Sequence, residues 1–599
     1  MTARTGEFTQ EQLKQFAKLK PPKNPKEAYQ REDAELWKAA ERVELAAFDR
    51  FKVMRHNVTQ QDLDNDGITG RPVPMRFIYN VKLADDGTYL KHKARLILQG
   101  HAGYITSGKY DETYAPTPDN FCNMFFAALA LTMGMVRDAF DVCTAYLQSD
   151  QKYNECGSII VEYPRGREPS CNSKGEKYYG VMLKPVYGHP KSARAWSKTI
   201  TNWIIEFFDT QGWTVGTLMS ESCAFILLSP DNTYSLLSVH TDDVEVHSER
   251  EEDAEYIRRS FGDKFGISRT DPRFMLGVLK EITVLPDGSS IMECSQPEFC
   301  EALIDDFKEH ITYGGQYETP WMPGCILEIK ADDYNPSPTE QKKYKDLGYL
   351  SIAGSLLWLS RRCYPNLLFA TSQLCSVMSM PSEHAWNQAI RVLTWLRDNY
   401  KVGIAYHSNG NLKPKMFYDS SHNMYKSDSK AHYGTVSVFA GGPIGAESKK
   451  QDDIGDSTAY NETMALYHCS RRCRYWYQLI KEMDNVSIKK GVKPKFSHMI
   501  DEPIPMYGDN DTATSNAKEC RITPKNRHMK LKYFTIKEII EDGHGRVERV
   551  PTEYNIADLP SKPTSGTVQR SIGMALMGRD KIWPDVEPAT VTTKNKAIK

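Results

Sequence analysis

Residues 234–248 read Y-S-L-L-S-V-H-T-D-D-V-E-V-H-S, two alternating apolar runs (Leu237 and Val239, then Val244 and Val246) that meet at Asp242-Asp243. The pattern is that of two short strands with adjacent carboxylates at the reversal. Aspartate is an ordinary turn residue, so the hairpin alone specifies no chemistry. An upstream segment narrows the choice. In A-F-D-V-C-T-A-Y-L at 139–147, Asp141 stands in an apolar, strand-like run. A carboxylate there is costly unless it is paired or coordinates a metal. Three carboxylates at the ends of neighbouring strands can hold two Mg2+ ions, which favour a few carboxylates plus substrate phosphate oxygens. Two such ions suit an in-line displacement in which a 3′-hydroxyl attacks and pyrophosphate leaves.

The chain has 599 residues, which at about 150 per domain gives roughly four folding units. Its 76 Lys+Arg against 77 Asp+Glu, 26% charged and 40% hydrophobic residues exclude a wholly disordered chain, a collagen-like fibre and a small disulfide scaffold. The longest apolar run, 124–136, is shorter than the ~20 residues of a membrane span. The first residues, MTARTGEFTQ, hold no apolar signal segment. Thirteen dispersed cysteines without a C-x-x-C are expected to be reduced thiols of an intracellular protein. The net charge of −1 leaves a nucleic-acid partner open, since local charge decides that. No G-x-x-x-x-G-K-[ST] loop occurs, which disfavours an ATP-driven machine.

Along the chain, residues 1–24 are Lys/Pro-rich and expected to pack poorly. Leu36, Ala40, Val43 and Ala47 then recur at helical spacing. R-F-I-Y-N-V-K-L and K-A-R-L-I-L-Q-G read as strands around the turn Asp85-Asp86-Gly87. The apolar run 124–136 reads as a buried helix capped near Asp119 or Asn120. Residues 332–345, with Pro336 and Pro338 among charges, read as a linker, and Trp386, Ile390, Leu393 and Arg397 as a helix. A strand-rich block opens near Lys413, and a tail begins near Pro563.

That last block carries a second acidic set: Asp419 in a strand-like M-F-Y-D-S-S, Glu462 on a helix, Asp509 after I-P-M-Y-G, and Asp558 at a helix start. Taken singly, each is a routine surface or helix-terminal acid. Converging, four carboxylates suit two metals that cleave a phosphodiester with water. Lys518, Arg521, Lys525, Arg527, His528, Lys530, Lys532 and Lys537 lie within twenty residues and suit phosphate contacts. Arg471, Arg472 and Arg474 adjoin Tyr475, Trp476 and Tyr477; Trp476 and Tyr477 are better read as core aromatics.

Several blocks stand together in order: KARLILQG (93–100), YDETYAPT (110–117), FDVCTAYLQ (140–148), YGHPKSARAW (187–196), HTDD (240–243), FMLG (274–277), IAGSLLWLS (352–360) and PSEHAWNQAIRVLTWL (381–396). They resemble the reverse transcriptase of copia-type LTR retrotransposons. ESKKQ, TAYNETMAL, YGDN, KNRHMKLKYFTIKE and VPTEYNIADLPSKP resemble the RNase H region of the same Pol, so the likeness runs from about Asn24 to Pro563. The resemblance implies an α+β / α/β multidomain fold. A right-hand polymerase with fingers, palm and thumb (25–331) would follow an extension (1–24). A linker and connection (332–412), an RNase H-like domain (413–563) and a tail (564–599) would come after it.

The resemblance also implies roles. Asp141, Asp242 and Asp243 would be the metal-binding catalytic triad of the palm, and Asp419, Glu462, Asp509 and Asp558 the metal-binding catalytic acids of the RNase H site. Lys93 and Arg95 would contact the incoming nucleotide. Tyr146 would face its sugar, where a ring collides with a ribose 2′-hydroxyl; an aromatic packed in a buried strand is the alternative. Gly277 would support the primer end, and Lys525, Arg527 and Lys530 would contact nucleic acid. The implied activity is RNA-directed DNA polymerisation with RNase H, using two Mg2+ (or Mn2+) per site. Its partners would be an RNA template, a DNA primer, an RNA:DNA hybrid and dNTPs, with capsid and integrase as further ones and no membrane. The setting would be cytoplasmic, within virus-like particles, or nuclear. Three positions depart from the family: His240-Thr241 replaces its aromatic-initiated hairpin, His189-Pro190-Lys191 its Leu-Lys-Gln, and Ala446 a tryptophan. The departures keep two alternatives in view, an impaired remnant that only binds nucleic acid and a hybrid nuclease that no longer polymerises.

Overall fold

The computed structural model describes residues 8–83, 88–100, 113–150, 159–164, 171–311, 316–329, 334–422, 424–455, 457–519 and 530–585, and among these the strands form four sheets. The first contains β1 (Met54–Val58), β2 (Val73–Leu83), β3 (Tyr89–Leu98), β5 (Ile159–Glu162) and β6 (Tyr179–Met182), in the order β1-β6-β5-β2-β3. Along β3, His92, Ala94, Leu96 and Leu98 are buried under the helix Ala34–Arg50, where Trp37 packs edge-on against His92 at 4.1 Å. Strand side chains alternate between faces, so Lys93 and Arg95 project from the other side. The turn expected at Asp85-Asp86-Gly87 falls outside the described residues.

The second sheet is antiparallel and is built from β4 (Val136–Val142), β7 (Thr214–Thr217), β8 (Ala224–Leu228), β9 (Tyr234–His240), β10 (Asp243–Ser248) and β11 (Ile267–Arg269). Its strand order is β11-β4-β10-β9-β8-β7. Both faces are covered, which explains why β8 reads as a continuous apolar run. Phe225, Leu237, Val244 and Val246 meet Trp196, Ile204, Phe208 and Phe261 from the helices Ser192–Thr210 and Glu251–Phe265. Ala224, Ile226 and Leu236 meet the apolar helix Asn120–Thr132, which Asp119 caps. A third sheet joins β12 (Phe274–Met275), β13 (Val278–Val284), β14 (Ser290–Ser295) and β15 (Ile404–His407).

The fourth sheet contains β16 (Lys415–Ser420), β17 (Lys430–Phe439), β18 (Gly442–Ile454), β19 (Ile504–Gly508) and β20 (Gly545–Arg549), in the order β18-β17-β16-β19-β20. The first three strands pair antiparallel, while β19 runs parallel to both β16 and β20. The sheet is therefore mixed and five-stranded. The long helix Thr458–Met483 covers one face.

Three expectations are corrected. Inside the N-terminal extension, Thr9 caps a helix, Gln10–Lys18, that buries Leu13 and Phe16. The supposed linker contains a Ser337-capped helix, Pro338–Asp346, whose Tyr344 stacks on Trp386 at 5.8 Å. The supposed tail begins with the helix Gly566–Leu576, whose Ile572, Ala575 and Leu576 pack with Val436, Val438 and Ile556. The helix Ala34–Arg50 is as expected, but Val43 on it faces solvent.

One apolar core runs from the helix Asn120–Thr132 through the helices of 349–399 into the helix Thr458–Met483. Phe125 lies 5.3 Å from Trp476 and 4.9 Å from Phe439, ring to ring. Phe125→Ala is therefore expected to cost about 3–5 kcal/mol and to lower the melting of both halves together, as read by scanning calorimetry of the full chain.

Candidate active sites

The pairing of β9 with β10 sets His240 opposite Asp243, which leaves Thr241 and Asp242 as a two-residue turn. Thr241 takes a left-handed φ of 60° there, a costly conformation for a β-branched residue. Two hydrogen bonds hold it: the Trp196 indole N–H donates to the Thr241 carbonyl at 2.6 Å, and the Val142 N–H donates to the Asp242 carbonyl at 2.7 Å. The second bond carries the β4–β10 pairing onto the turn, and that pairing sets Asp141 directly across from Asp243. Directly opposed residues share a face of the sheet, so the acids of the two strands meet.

Their charges interact as expected of a crowded acidic site. Burial, then Asp242, pushes the Asp141 carboxyl above its ordinary value, and Lys93, Lys82 and Arg95 oppose the shift. Burial, followed by Asp242 and Asp141, raises Asp243 to about 6. The first sheet thus presents its cations to the acids of the second. Arg95 also lies over the Tyr187 ring at 4.3 Å, and Tyr187 in turn sits 5.1 Å from the Tyr146 ring. Tyr146 is half-buried in the short turn Ala145–Gln148, and its hydroxyl is hydrogen-bonded to the Thr241 side chain. Gly277, with Leu276, forms the two-residue β12–β13 turn; both residues have positive φ, 76° and 51°. That geometry favours glycine, and the Trp358 ring lies 3.8 Å from where a Cβ would stand on Gly277.

The departures find their places. His240 is half-buried, and burial followed by Arg362 holds its imidazole below its usual pKa. Pro190 lies just ahead of the helix Ser192–Thr210, where its missing N–H removes no helical hydrogen bond.

The second site is tighter. Asp419 ends β16 and Asp509 follows β19, its parallel neighbour in register Phe417 to Tyr507. Glu462 stands near the start of the helix Thr458–Met483, where its Oε1 accepts from the Ser420 N–H at 3.4 Å. Asp419, Glu462 and Asp509 each bring one carboxylate oxygen within 4.8 Å of the others. No other set of three His, Cys, Asp or Glu residues among the described residues does so, and the acids of the first site are spread more widely. Glu462 is 3% exposed and its Oε2 has no partner. Burial, Asp419 and Asp509 raise its carboxyl far above the ordinary range. Burial followed by Asp419 raises Asp509 as well. Asp558 opens the short turn Asp558–Ser561, and burial followed by Asp419 pushes it up to about 7.

Gly434, the β17 partner of Asp419, explains how that turn reaches the sheet. A Cβ on Gly434 would lie 2.8 Å from the Ala557 carbonyl oxygen and from Pro560 Cγ. Ser561 then donates to Asp419, and Asn555 Nδ2 donates to the Tyr418 carbonyl at 3.2 Å. None of these supporting residues is marked by the sequence. Their only signal is the S-K-P that follows Asp558.

The basic stretches divide differently from expectation. Lys525 and Arg527 lie outside the described residues, as do Arg521 and His528, and the Lys518 and Lys530 side chains are likewise outside them. Lys532 pairs with Asp453, and Lys537 with Glu541 at 3.3 Å. Arg472 pairs with Glu447 at 2.6 Å and Asp119 at 3.5 Å, and Arg474 with Glu538 at 2.7 Å. Trp476 is a core residue, as expected.

Residues 62–322 match the family model of reverse transcriptase (RNA-dependent DNA polymerase). A retrovirus-related Pol polyprotein from transposon RE2 of Arabidopsis thaliana is 24% identical over 497 residues, 82% of this chain and 31% of that protein. That of transposon TNT 1-94 of Nicotiana tabacum is 22% identical over 498 residues, 82% of this chain and 34% of its own length. The Ty1-JR2 Gag-Pol polyprotein of Saccharomyces cerevisiae is 23% identical over 522 residues, covering 82% and 26%. The chain spans about a third of the length of the curated plant relatives it matches. A foamy viral protease–reverse transcriptase solved with double-stranded DNA is similar at a TM-score of 0.37 and 12% identity, over 82% of this chain and 68% of that one. Residues 62–322 thus form a reverse transcriptase domain. Over 82% of its length the chain is similar to the Pol polyproteins of retrotransposons. No helix among the described residues is long and apolar enough to cross a membrane.

Gly434→Ala is expected to cost about 1–3 kcal/mol through overpacking, measured as a lower urea midpoint with an unchanged m-value, because the 557–561 turn must move off the sheet.

Proposed function

We propose that the chain copies an RNA template into DNA at the first site and degrades the RNA of the resulting hybrid at the second. The observation that carries the reading is the placement of Asp141 across from Asp243, with the charges of Lys93 and Arg95 acting on Asp141. A nucleotide triphosphate needs that combination: carboxylates for divalent ions on one side and cations for phosphate oxygens on the other. Both sites suit Mg2+ in donor type, since every candidate ligand is a carboxylate oxygen, and the orphaned Glu462 Oε2 is a buried acceptor that a cation would satisfy. Asp141, Asp242 and Asp243 would hold the ions of the first site, and Asp419, Glu462, Asp509 and Asp558 those of the second. Held by these acids, Mg2+ would supply Lewis-acid activation of the attacking hydroxyl or water and charge compensation at the leaving oxygen.

The chain's own residues do the rest by positioning. Arg95 and Lys93 bind and orient the triphosphate. Tyr146, fixed between Tyr187 and Thr241, limits space at the sugar and disfavours a ribose. The Gly277 turn abuts the primer end. In the second site Glu462 and Asp509 orient water towards the RNA strand. The wider spacing of the first site's acids, together with His240, favours one second reading, a hybrid nuclease with little polymerase activity.

Paired assays separate the readings. In primer extension on an RNA template and cleavage of a labelled RNA:DNA hybrid, Asp242→Asn is expected to abolish extension and spare cleavage, and Asp509→Asn to do the reverse. A thousandfold loss would correspond to about 4 kcal/mol of transition-state stabilisation. Hybrid cleavage without extension in the unaltered chain would favour the second reading. Extension that survives Asp141→Asn and Asp242→Asn would overturn the first.

A further inference from the structure

The four acids of the second site do not all face the same open space. Asp419, Glu462 and Asp509 converge, but Asp558 is turned to a cation the chain itself provides. Lys562 Nζ lies 3.0 Å from Asp558 Oδ1 and 3.2 Å from Asp419 Oδ2. Asp558 and Lys562 are four residues apart across a single helical turn, a spacing that brings side chains together. Gly434 brings this turn against the sheet, so the ammonium is delivered to Asp419 by backbone packing as well as by attraction. Among the described residues, the ion pairs of these four acids run to Lys562 alone.

The two acids it bridges are almost wholly buried, while the Lys562 side chain is 35% exposed. The ammonium therefore sits at the mouth of the site, on a flexible four-carbon stem that can swing outward. It compensates like charges whose burial would otherwise be costly.

On the nuclease reading above, we infer that Lys562 is a built-in counter-ion that fills the Asp419–Asp558 edge and withholds one divalent-ion position until a nucleic-acid phosphate draws the ammonium away. The phosphate acts in two ways. It offers the ammonium a charged partner outside the nest, and it brings the extra oxygen ligands that Mg2+ ordinarily requires. Lys562 is in this sense a positioning residue: it acts through Asp419 and Asp558. Without it, the two acids would be a second open pair in the absence of substrate.

The test counts bound Mn2+ on the full chain without nucleic acid, from the electron paramagnetic resonance signal of free Mn2+. The first site's acids are common to every variant, so differences report the second site. Lys562→Met is expected to bind one Mn2+ more per chain than the unaltered protein. Lys562→Arg should keep the original count, and Asp558→Asn added to Lys562→Met should remove the gain. If Lys562→Met does not fold, Lys562→Gln carries the same expectation. Equal counts in the unaltered chain and a folded Met or Gln variant would overturn the inference, as would a gain in Lys562→Arg. Asp419→Asn separates this failure from that of the underlying reading. Loss of no ion in that variant would sink the nuclease site itself, whereas loss of one ion with no gain in Lys562→Met would sink only the role of Lys562.

Discussion

Carboxylates held side by side under partial burial repel one another, and each site contains the means of tolerating that repulsion. In the first, the cost falls on Asp141 and Asp243, whose carboxyls are both raised by burial and by neighbouring acid. Opposing charge comes from a different sheet, with Lys82 acting on both acids and Lys93 and Arg95 on Asp141. In the second, carboxylate oxygens of three acids converge within 4.8 Å, and relief comes from Lys562, which directly follows the turn that Asp558 opens and pairs with Asp419 and Asp558. The first site is therefore assembled between sheets and the second within one sheet and its covering elements.

A continuous core holds the two sites in one body. Phe125, from the helix beneath the first site's sheet, packs on Trp476 of the helix that carries Glu462. Gly445 on β18 lets the Phe121 ring approach to within 2.4 Å of where a Cβ would stand. Around this apolar contact lie polar ties: Arg472 to Asp119, the Ser220 N–H to Glu482 at 2.9 Å, and Lys495 to Glu249. The basic run at 471–474 serves this junction. Arg472 is engaged by Glu447 and Asp119 and Arg474 by Glu538, acids remote in sequence and invisible to a local reading of charge.

Much of the first site is legible in the sequence because it interrupts a simple pattern. Asp141 breaks an apolar strand, and Asp242-Asp243 breaks the alternation of a hairpin; such breaks are costly and so informative. Lys93 and Arg95 fall on alternate positions of β3, and strand periodicity alone puts them on one face. The helices Gln10–Lys18 and Gly566–Leu576 escape a local reading because short amphipathic helices take their stability from a surface to pack on. Pro336 and Pro338 suggest a linker, but Pro338 opens a helix at a position that needs no N–H. Lys562 lies in a block that carries the resemblance, but nothing in S-K-P says that Gly434 will admit the turn to the sheet.

The sequence by itself determined which residues carry charge into apolar surroundings, which strands bear them and the family their order resembles, because alternation and ordered motifs are local properties of a chain. Only the tertiary structure decided that Asp141 lies across from Asp243, that Asp419, Glu462 and Asp509 converge, and that Lys562 closes the edge beside them. Those outcomes depend on strand order and on the close approach of backbones at glycines. Both are set by how separate segments exclude water together, and no window of sequence contains that information.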